Sequence, residues 1–205
     1  ALLRGWSING EGKLVFDSDF DGETLIKKWS DKTWPYFAYA LVNLIGYAPE
    51  GTKVHASIVR SNVKTLSLSE DSWTELPRGL EGFENLTSLN LRYCKSFQNV
   101  DGLANLTQLT SLVLWGCRSL QSVDGLASCT QLTSLDLSWC SALENVDGLC
   151  HLTQLTSLDL RACVALQNVD GLANLMQLTS LPLWGCSALE NVDGLANLTQ
   201  ITSLD

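Results

Sequence analysis

The stretch at residues 109–131, LTSLVLWGCRSLQSVDGLASCTQ, decides the fold, because the same pattern returns every 23 residues along most of the chain. No insertion or deletion interrupts its phase. Self-similarity at a fixed period of this length predicts a repeat architecture, in which one small structural unit stacks on its copies and buries a shared core. A sixth copy begins at Ile201, and the five before it open with Leu-Thr-Ser-Leu at Leu86, Leu109, Leu132, Leu155 and Leu178.

Each repeat combines a short strand with a compact turn. Side chains alternate across a strand, so Leu89 and Leu91 point to one face. Ser88, Asn90 and Arg92 point to the other face. We expect successive strands to pair in parallel, about 4.8 Å apart. Wider outer turns would bend the stack into an arc with the sheet on its concave side. A 3₁₀ or short helical turn on the convex side is predicted from apolar residues three positions apart, namely Val100, Leu103, Leu106 and Leu109.

Residues 1–62 differ from the repeats and are interpreted as an N-terminal α+β cap, since a solenoid exposes an apolar end unless an atypical element covers it. Alternating residues around an Asn-Gly pair predict a hairpin at residues 6–16. A buried helix is predicted at residues 36–45 and an edge strand at 53–60. Residues 63–205 are interpreted as the repeat array, which starts with a degenerate copy and is truncated in its last one. Further repeats or a cap are expected in a longer parent protein.

The charge of the chain belongs to the repeats. Of the formal net charge of -9, residues 63–205 account for all, with six basic and fifteen acidic groups, because residues 1–62 carry seven of each. An acidic array repels phosphate backbones, so the predicted partner is a protein or peptide and not nucleic acid. A simpler role of the acids is to keep a leucine-rich array in solution. No apolar run is long enough to span a membrane, and the sequence leaves the oligomeric state open.

The seven cysteines are interpreted as core residues. Those that recur once per repeat have parallel Cβ vectors, so reduced thiols are expected and not disulfides. An odd number of reduced thiols favours the cytoplasm. A catalytic Cys–His pair is not predicted, because His151 is interpreted as an exposed turn residue. The inward column contains Cys94, Cys117, Cys140, Cys163 and Cys186, while Cys129 and Cys150 replace a leucine and an alanine of other copies.

An aspartate followed by glycine recurs in each outer turn. We expect the aspartate to cap the turn through backbone amides, and the glycine to adopt an unusual backbone conformation. Calcium binding by the stacked carboxylates is the alternative, although no second acidic row accompanies the first. We predict no metal site and no cofactor. The aspartates are Asp101, Asp124, Asp147, Asp170 and Asp193.

The shared motif Leu-x-x-Leu-x-Leu-x-x-Cys-x-x-Leu resembles the leucine-rich repeat, with consensus Leu-x-x-Leu-x-Leu-x-x-Asn/Cys-x-Leu, throughout residues 63–205. The half Val-Asp-Gly-Leu-Ala-Asn-Leu-Thr-Gln-Leu is similar to repeats of bacterial internalin-like surface proteins, although this chain has cysteine for asparagine and one residue more. The cysteine half is similar to repeats of plant immune receptors. WSINGEGKLVF and WPYF resemble the leader of BspA-like bacterial surface proteins. The resemblance implies an α/β leucine-rich repeat solenoid, a horseshoe that binds proteins and is rarely an enzyme, and favours a surface or secreted location.

The positions that differ between copies are informative about function. Two neighbouring columns concentrate arginine and aromatic residues, the types enriched at binding hot spots. A simpler structural role is that each arginine stacks on the tryptophan of the next repeat. The first column reads Arg92, Trp115, Ser138, Arg161, Trp184, and the second reads Tyr93, Gly116, Trp139, Ala162, Gly185.

We therefore predict a non-enzymatic module that binds a protein or peptide on the concave strand face. Asp136 and Asp159 are expected to attract a basic group, and the tryptophans to give apolar contact. Two alternatives stay open. The chain is the recognition arm of a longer secreted effector or enzyme whose catalytic domain lies elsewhere, or it is an architectural spacer. The predicted partner-binding residues are Arg92, Tyr93, Val113, Trp115, Asp136, Trp139, Asp159, Arg161 and Trp184.

Overall fold

A computed structural model describes residues 6–8, 14–16, 64–68, 76 and 80–204. Near the N-terminus, Trp6–Ile8 (β1) and Leu14–Phe16 (β2) pair antiparallel, with Trp6 opposite Phe16, as expected of a hairpin. The predicted helix at 36–45 and edge strand at 53–60 lie outside the described residues. The boundary between cap and array therefore stays a prediction.

The repeats form one parallel sheet with the order β3-β4-β5-β6-β7. Each strand pairs with the next at an offset of one repeat, so Ser88 lies opposite Ser111 and Ser111 lies opposite Ser134. The constant spacing of the repeats in the sequence therefore sets the register of the sheet. The strands are Thr65–Ser67 (β3), Ser88–Asn90 (β4), Ser111–Val113 (β5), Ser134–Asp136 (β6) and Ser157–Asp159 (β7).

Beyond β7 the pairing continues only as single bridges, from Ser157 to Ser180 and from Ser180 to Ser203. Pro182 stands where Asp159 stands one repeat earlier. A proline has no backbone N–H to donate to the ladder. It still accepts, since the Leu160 N–H donates to the Pro182 carbonyl over 3.1 Å. The substitution shortens the regular sheet without interrupting the stack.

The outer side carries a 3₁₀ turn in each repeat, as predicted from apolar residues three apart. The core lies between these turns and the sheet, and its leucines are excluded from solvent in every copy from Leu86 to Leu181. Sheet and turns bury one continuous apolar column, as stacking repeats require. The turns are Leu80–Gly82, Asp101–Leu103, Asp124–Leu126, Asp147–Leu149, Asp170–Leu172 and Asp193–Leu195.

The Asp-Gly pair does not act as predicted. In the turn at Asp147 the N-cap residue is Val146, the Asp147 side chain accepts no hydrogen bond from the described residues, and the Asp147 backbone N–H donates to Asn145 Oδ1 over 3.2 Å. The capping group is therefore the asparagine two residues earlier. Gly148 has no positive φ, but a Cβ there would lie 2.6 Å from the Asp124 Cα of the preceding turn. Glycine is required because backbones of neighbouring repeats meet at this point.

The cysteine column ties neighbouring repeats together. Each thiol from the second copy onward donates to a leucine carbonyl 26 residues earlier, as in the 3.3 Å bond from Cys140 Sγ to the Leu114 oxygen. None of the seven cysteines, all within the described residues, forms a disulfide. Burial raises the pKa of Cys129 to about 11 and that of Cys163, helped by the Cys186 thiol, to about 12. Cys150 and Cys186 depart from the expectation of a core position, since both are only half-buried.

Candidate functional site

The two variable columns lie in a turn that follows each strand, and not on the strand itself, since β4 ends at Asn90. We call the solvent-facing side of β3–β7, together with this turn, the strand face. In every copy the second residue of the turn has a left-handed backbone conformation. The φ values are 63° at Tyr93, 74° at Gly116, 64° at Trp139, 58° at Ala162 and 79° at Gly185.

Glycine is the residue that adopts this conformation at no steric cost, and two of the five copies have it. Trp139 and Tyr93 adopt it instead with bulky side chains, at a cost of order 1–3 kcal/mol each. The core gives no reason for this choice, because Trp139 is 46% exposed and Tyr93 is 39% exposed. Large aromatic groups are thus held in solvent at positions where glycine would be less strained.

Hydrogen bonds to the next repeat hold this turn in place. The Trp139 N–H donates to the Arg161 carbonyl over 2.8 Å, and the Tyr93 N–H donates to the Trp115 carbonyl over 2.8 Å. The ladder of the sheet therefore continues through the strained position. Strain of this kind persists only where the surrounding structure over-determines the backbone, and here the ladder supplies that constraint.

A shallow depression of about 280 Å³ opens on the strand face between the tryptophans. Its middle is low because Ser138, which is 3% exposed, stands in the column where other copies have tryptophan or arginine. Five of the nine predicted binding residues meet here, and Ser138 is the member that the sequence analysis missed. We call this site the tryptophan depression, and its lining residues are Trp115, Asp136, Ser138, Trp139, Arg161 and Trp184.

The two acidic residues of the strand face are held differently. Ser138 donates twice to one oxygen of Asp136, from its N–H over 2.9 Å and from its hydroxyl over 2.5 Å. Arg161 engages both oxygens of Asp159, with Nε 3.0 Å from each and Nη2 2.5 Å from Oδ2. These hydrogen bonds, and then the charge of Asp159, raise the pKa of the Arg161 guanidinium. Asp159 is therefore neutralised within the chain.

The proposed stacking of arginine on tryptophan is not formed. Arg161 pairs with Asp159, and no cation lies over Trp115 or Trp184 among the described residues. The aromatic contact that does form joins Tyr93 and Trp115, whose ring centroids are 4.6 Å apart at 50°. Lys95 Nζ lies 5.8 Å from the centroid of the Tyr93 ring. Trp139 and Trp184 are thus largely exposed to solvent, whereas Trp115 is half-buried against Tyr93.

The remaining predicted residues lie beside the depression and do not line it. Val113 is half-buried in β5 and lies opposite Asp136 of β6. Arg92 is exposed, and its N–H donates to Asn90 Oδ1 over 3.0 Å. Tyr93 reaches the site through Trp115, while Asp159 reaches it through Arg161. The predicted residues therefore fall into a lining group and a flanking group.

Other chemistry is not evident in the part of the chain that the structure describes. No group of three or more histidine, cysteine, aspartate or glutamate side chains is placed there to hold a metal ion, and the aspartate column of the outer turns forms none. His151 is exposed next to half-buried Cys150. None of the described helices has the length and apolar character that crossing a membrane requires.

Comparison with known proteins finds similarity to leucine-rich repeat proteins. A family model described as the Endo-beta-N-acetylglucosaminidase EndoS LRR domain matches residues 95–170, which include every lining residue of the depression except Trp184. No curated protein matches the chain.

The solved structures that are similar to it at low identity include three bacterial proteins. Internalin C2 of Listeria monocytogenes is 18% identical, with a TM-score of 0.38 over 83% of this chain and 92% of that chain. A leucine-rich repeat protein of Leptospira interrogans is 18% identical, with a TM-score of 0.48 over 73% of this chain and 50% of that chain. A further L. monocytogenes internalin is 19% identical, with a TM-score of 0.32 over 73% and 68%.

Proposed function

We propose that this chain, which is a leucine-rich repeat protein, is a non-enzymatic module that binds a protein or peptide on its strand face. The observation that carries the proposal is the strained backbone at Trp139. A tryptophan with φ 64° and half of its surface in solvent costs stability and gives the core nothing in return. Outliers of this kind concentrate at binding sites.

Two further features support the proposal that the strand face binds the partner. Trp115, Trp139 and Trp184 converge on one depression, and tryptophan is the residue type most enriched at binding hot spots. The depression lies on one side of the array, opposite the Asp-Gly-Leu turns that repeat without variation. A volume of about 280 Å³ suits one or two side chains of a protein partner better than a drug-sized ligand.

A second candidate function is recognition on behalf of a longer enzyme. The matched family model is described as the repeat domain of an endo-beta-N-acetylglucosaminidase, which favours this alternative. In that case the strand face would position a partner or substrate for a catalytic domain elsewhere, and the array would still act by binding. Capture of a partner by the 205-residue chain alone favours the independent module, whereas capture that needs a longer chain favours the arm of an enzyme.

The test is affinity capture from candidate host extracts with the wild type and a triple variant, Trp115→Ala, Trp139→Gly and Trp184→Ala. Glycine is used at position 139 because the left-handed backbone favours it. The matched control, Val164→Ala with Met176→Ala, removes exposed apolar groups outside the depression. We expect the triple variant to fold and lose the partner that the control keeps. Retention of the partner by the folded triple variant would refute binding at this face.

A further inference from the structure

The tryptophan depression has a defined charge. Asp136, Asp159 and Arg161 are its neighbouring ionic groups, and Arg161 neutralises Asp159 through the paired contact described above. One negative charge, that of Asp136, is left at the site. It belongs to a chain with a formal net charge of -9, so the long-range field also favours a cationic group.

Only one oxygen of Asp136 is occupied. Ser138 directs both of its donors to Oδ1, and Oδ2 accepts no hydrogen bond from the described residues. Asp159 shows the contrasting arrangement, because a guanidinium there uses both carboxylate oxygens. A carboxylate with a single available oxygen suits the point charge of an ammonium group better than the two-pronged fork of an arginine.

The aromatic walls suit the rest of such a group. Trp184 is 60% exposed and Trp139 nearly half exposed, so their ring faces remain available for contact. A cation above an indole face is attracted by the ring quadrupole, and tryptophan is the most effective of the aromatic residues in this. An alkyl stem can lie along the rings while its charged end reaches the carboxylate.

We propose that the tryptophan depression binds the side chain of one lysine of the partner protein, with its ammonium on Asp136 Oδ2 and its alkyl stem against the tryptophans that line the depression. This inference rests on the proposed function and names the chemistry that the strand face recognises. Lysine meets the three conditions together, since it carries a single positive charge, a compact donor group and an apolar stem.

The experiment is a titration of the full 205-residue chain with Nα-acetyl-lysine methylamide, followed by the indole N–H signals in a ¹⁵N correlation spectrum. The Nε-acetylated form of the same compound removes the charge and keeps the stem, and the arginine analogue keeps the charge and changes its shape. We expect the lysine compound to shift the signals of Trp115, Trp139 and Trp184, with the neutral form about tenfold weaker or worse.

The matched variants are Asp136→Asn and Asp147→Asn. Asparagine at 136 keeps an oxygen for both Ser138 donors, so the local structure is retained while the charge is lost. Asp147 is an exposed acid in an outer turn and serves as the control. We expect about tenfold weaker lysine binding in the first variant and unchanged binding in the second.

Equal shifts by the charged and neutral compounds, tighter binding of the arginine analogue, or unchanged affinity in Asp136→Asn would each overturn the proposal. These outcomes differ from failure of the proposed function. If capture of a partner needs the tryptophans but not Asp136, the proposed binding function stands and the lysine proposal fails. If the lysine compound binds but capture of a partner does not depend on the tryptophans, the lysine proposal stands and the proposed binding function fails.

Discussion

The Asp-Gly-Leu turn and the turn that follows each strand both occur once in every full repeat, yet only the first keeps its residues. In the first, a Cβ on Gly148 would meet the backbone of the preceding turn at 2.6 Å, and Gly125, Gly171 and Gly194 have equivalent backbone contacts under 3.0 Å, so these four copies need glycine. In the second, the backbone is left-handed in all five copies, but tyrosine, tryptophan and alanine stand beside two glycines. A clash with a neighbouring backbone excludes every residue except glycine. A strained φ only disfavours other residues, so they occur where the side chain has another use.

The largest expected effect comes from breaking the invariant turn. Gly148→Ala forces a Cβ against the Asp124 backbone, which cannot move aside as a side chain can, and we expect a loss of about 3 kcal/mol or more in unfolding free energy. Gly102→Ala is the comparison, because among the described residues a Cβ there meets the flexible Leu76 side chain, at 3.1 Å, and no backbone atom. Urea unfolding measures both. Equal losses in the two variants would show that backbone contact between repeats does not select the glycine.

The cysteine column should make the array sensitive to alkaline pH. An unfolded cysteine titrates at about 8.5, but burial raises the pKa of Cys163 to about 12. Above pH about 8.5 the unfolded chain releases a proton that the folded chain keeps, so this contribution to stability is present at lower pH and falls as pH rises towards the folded pKa. Each such cysteine contributes a slope of about 1.4 kcal/mol per pH unit.

The check is the pH dependence of urea unfolding between pH 8 and 11 in the wild type and in Cys163→Ala. We expect the variant to lose stability less steeply with pH, by the slope of one cysteine. Comparing slopes and not absolute values separates the titration from the loss of packing. Parallel curves would contradict the idea that this thiol stays protonated in the folded chain.

A smaller effect on stability is expected at the threonine that is the second residue of each repeat. The Thr133 hydroxyl donates to the Thr110 carbonyl one repeat earlier, over 3.0 Å, at an exposed position just before β6. Thr133→Val should cost about 0.5–1 kcal/mol, because water can replace part of the bond. Thr130→Val, at an exposed threonine without such a bond among the described residues, should change stability less. Equal effects would remove the threonine column from the forces that join the repeats.

Much of the array follows from the sequence for a simple reason. An uninterrupted period fixes which residue of one repeat lies beside which residue of the next, so the serine register and the buried leucines were predictable from phase alone. The inward cysteines were predictable in the same way. Their bond to a carbonyl 26 residues earlier was not, because it depends on how far the turn brings the thiol back along the stack.

The turns depend on contacts between repeats that an aligned column of the sequence does not predict. The glycine of the Asp-Gly pair was recognised but explained by its own backbone, whereas the cause is a contact with another repeat. The capping residue stands two positions before each aspartate in the sequence, as an asparagine such as Asn145 in four copies and as Ser122 in the fifth. In the strand face, the glycines at 116 and 185 are the sequence signal of a left-handed backbone, but the prediction used them only as members of a variable column.

Most residues of the candidate site were predictable from the sequence, but which of them lie together was not. Five of its lining residues were chosen because they are aromatic or charged, and Ser138 was overlooked because it is neither. Its small size opens the depression, and its two donors fix Asp136. Which side chains meet depends on neighbouring strands and on the turn together, and a single column shows neither.

The central claim is that the inward-facing residues of each repeat determine the fold, whereas the exposed residues of the strand face contribute little to its stability. Urea unfolding of Trp139→Gly beside Leu137→Ala tests this most directly, since the two residues are two positions apart, one fully buried and the other 46% exposed. Leu137 is fully buried, and its truncation should cost about 2–5 kcal/mol. In Trp139→Gly, lost contact and relieved backbone strain nearly cancel, so we expect a change within about 1 kcal/mol of zero. A loss as large as that of Leu137→Ala would make Trp139 a structural residue and contradict the account.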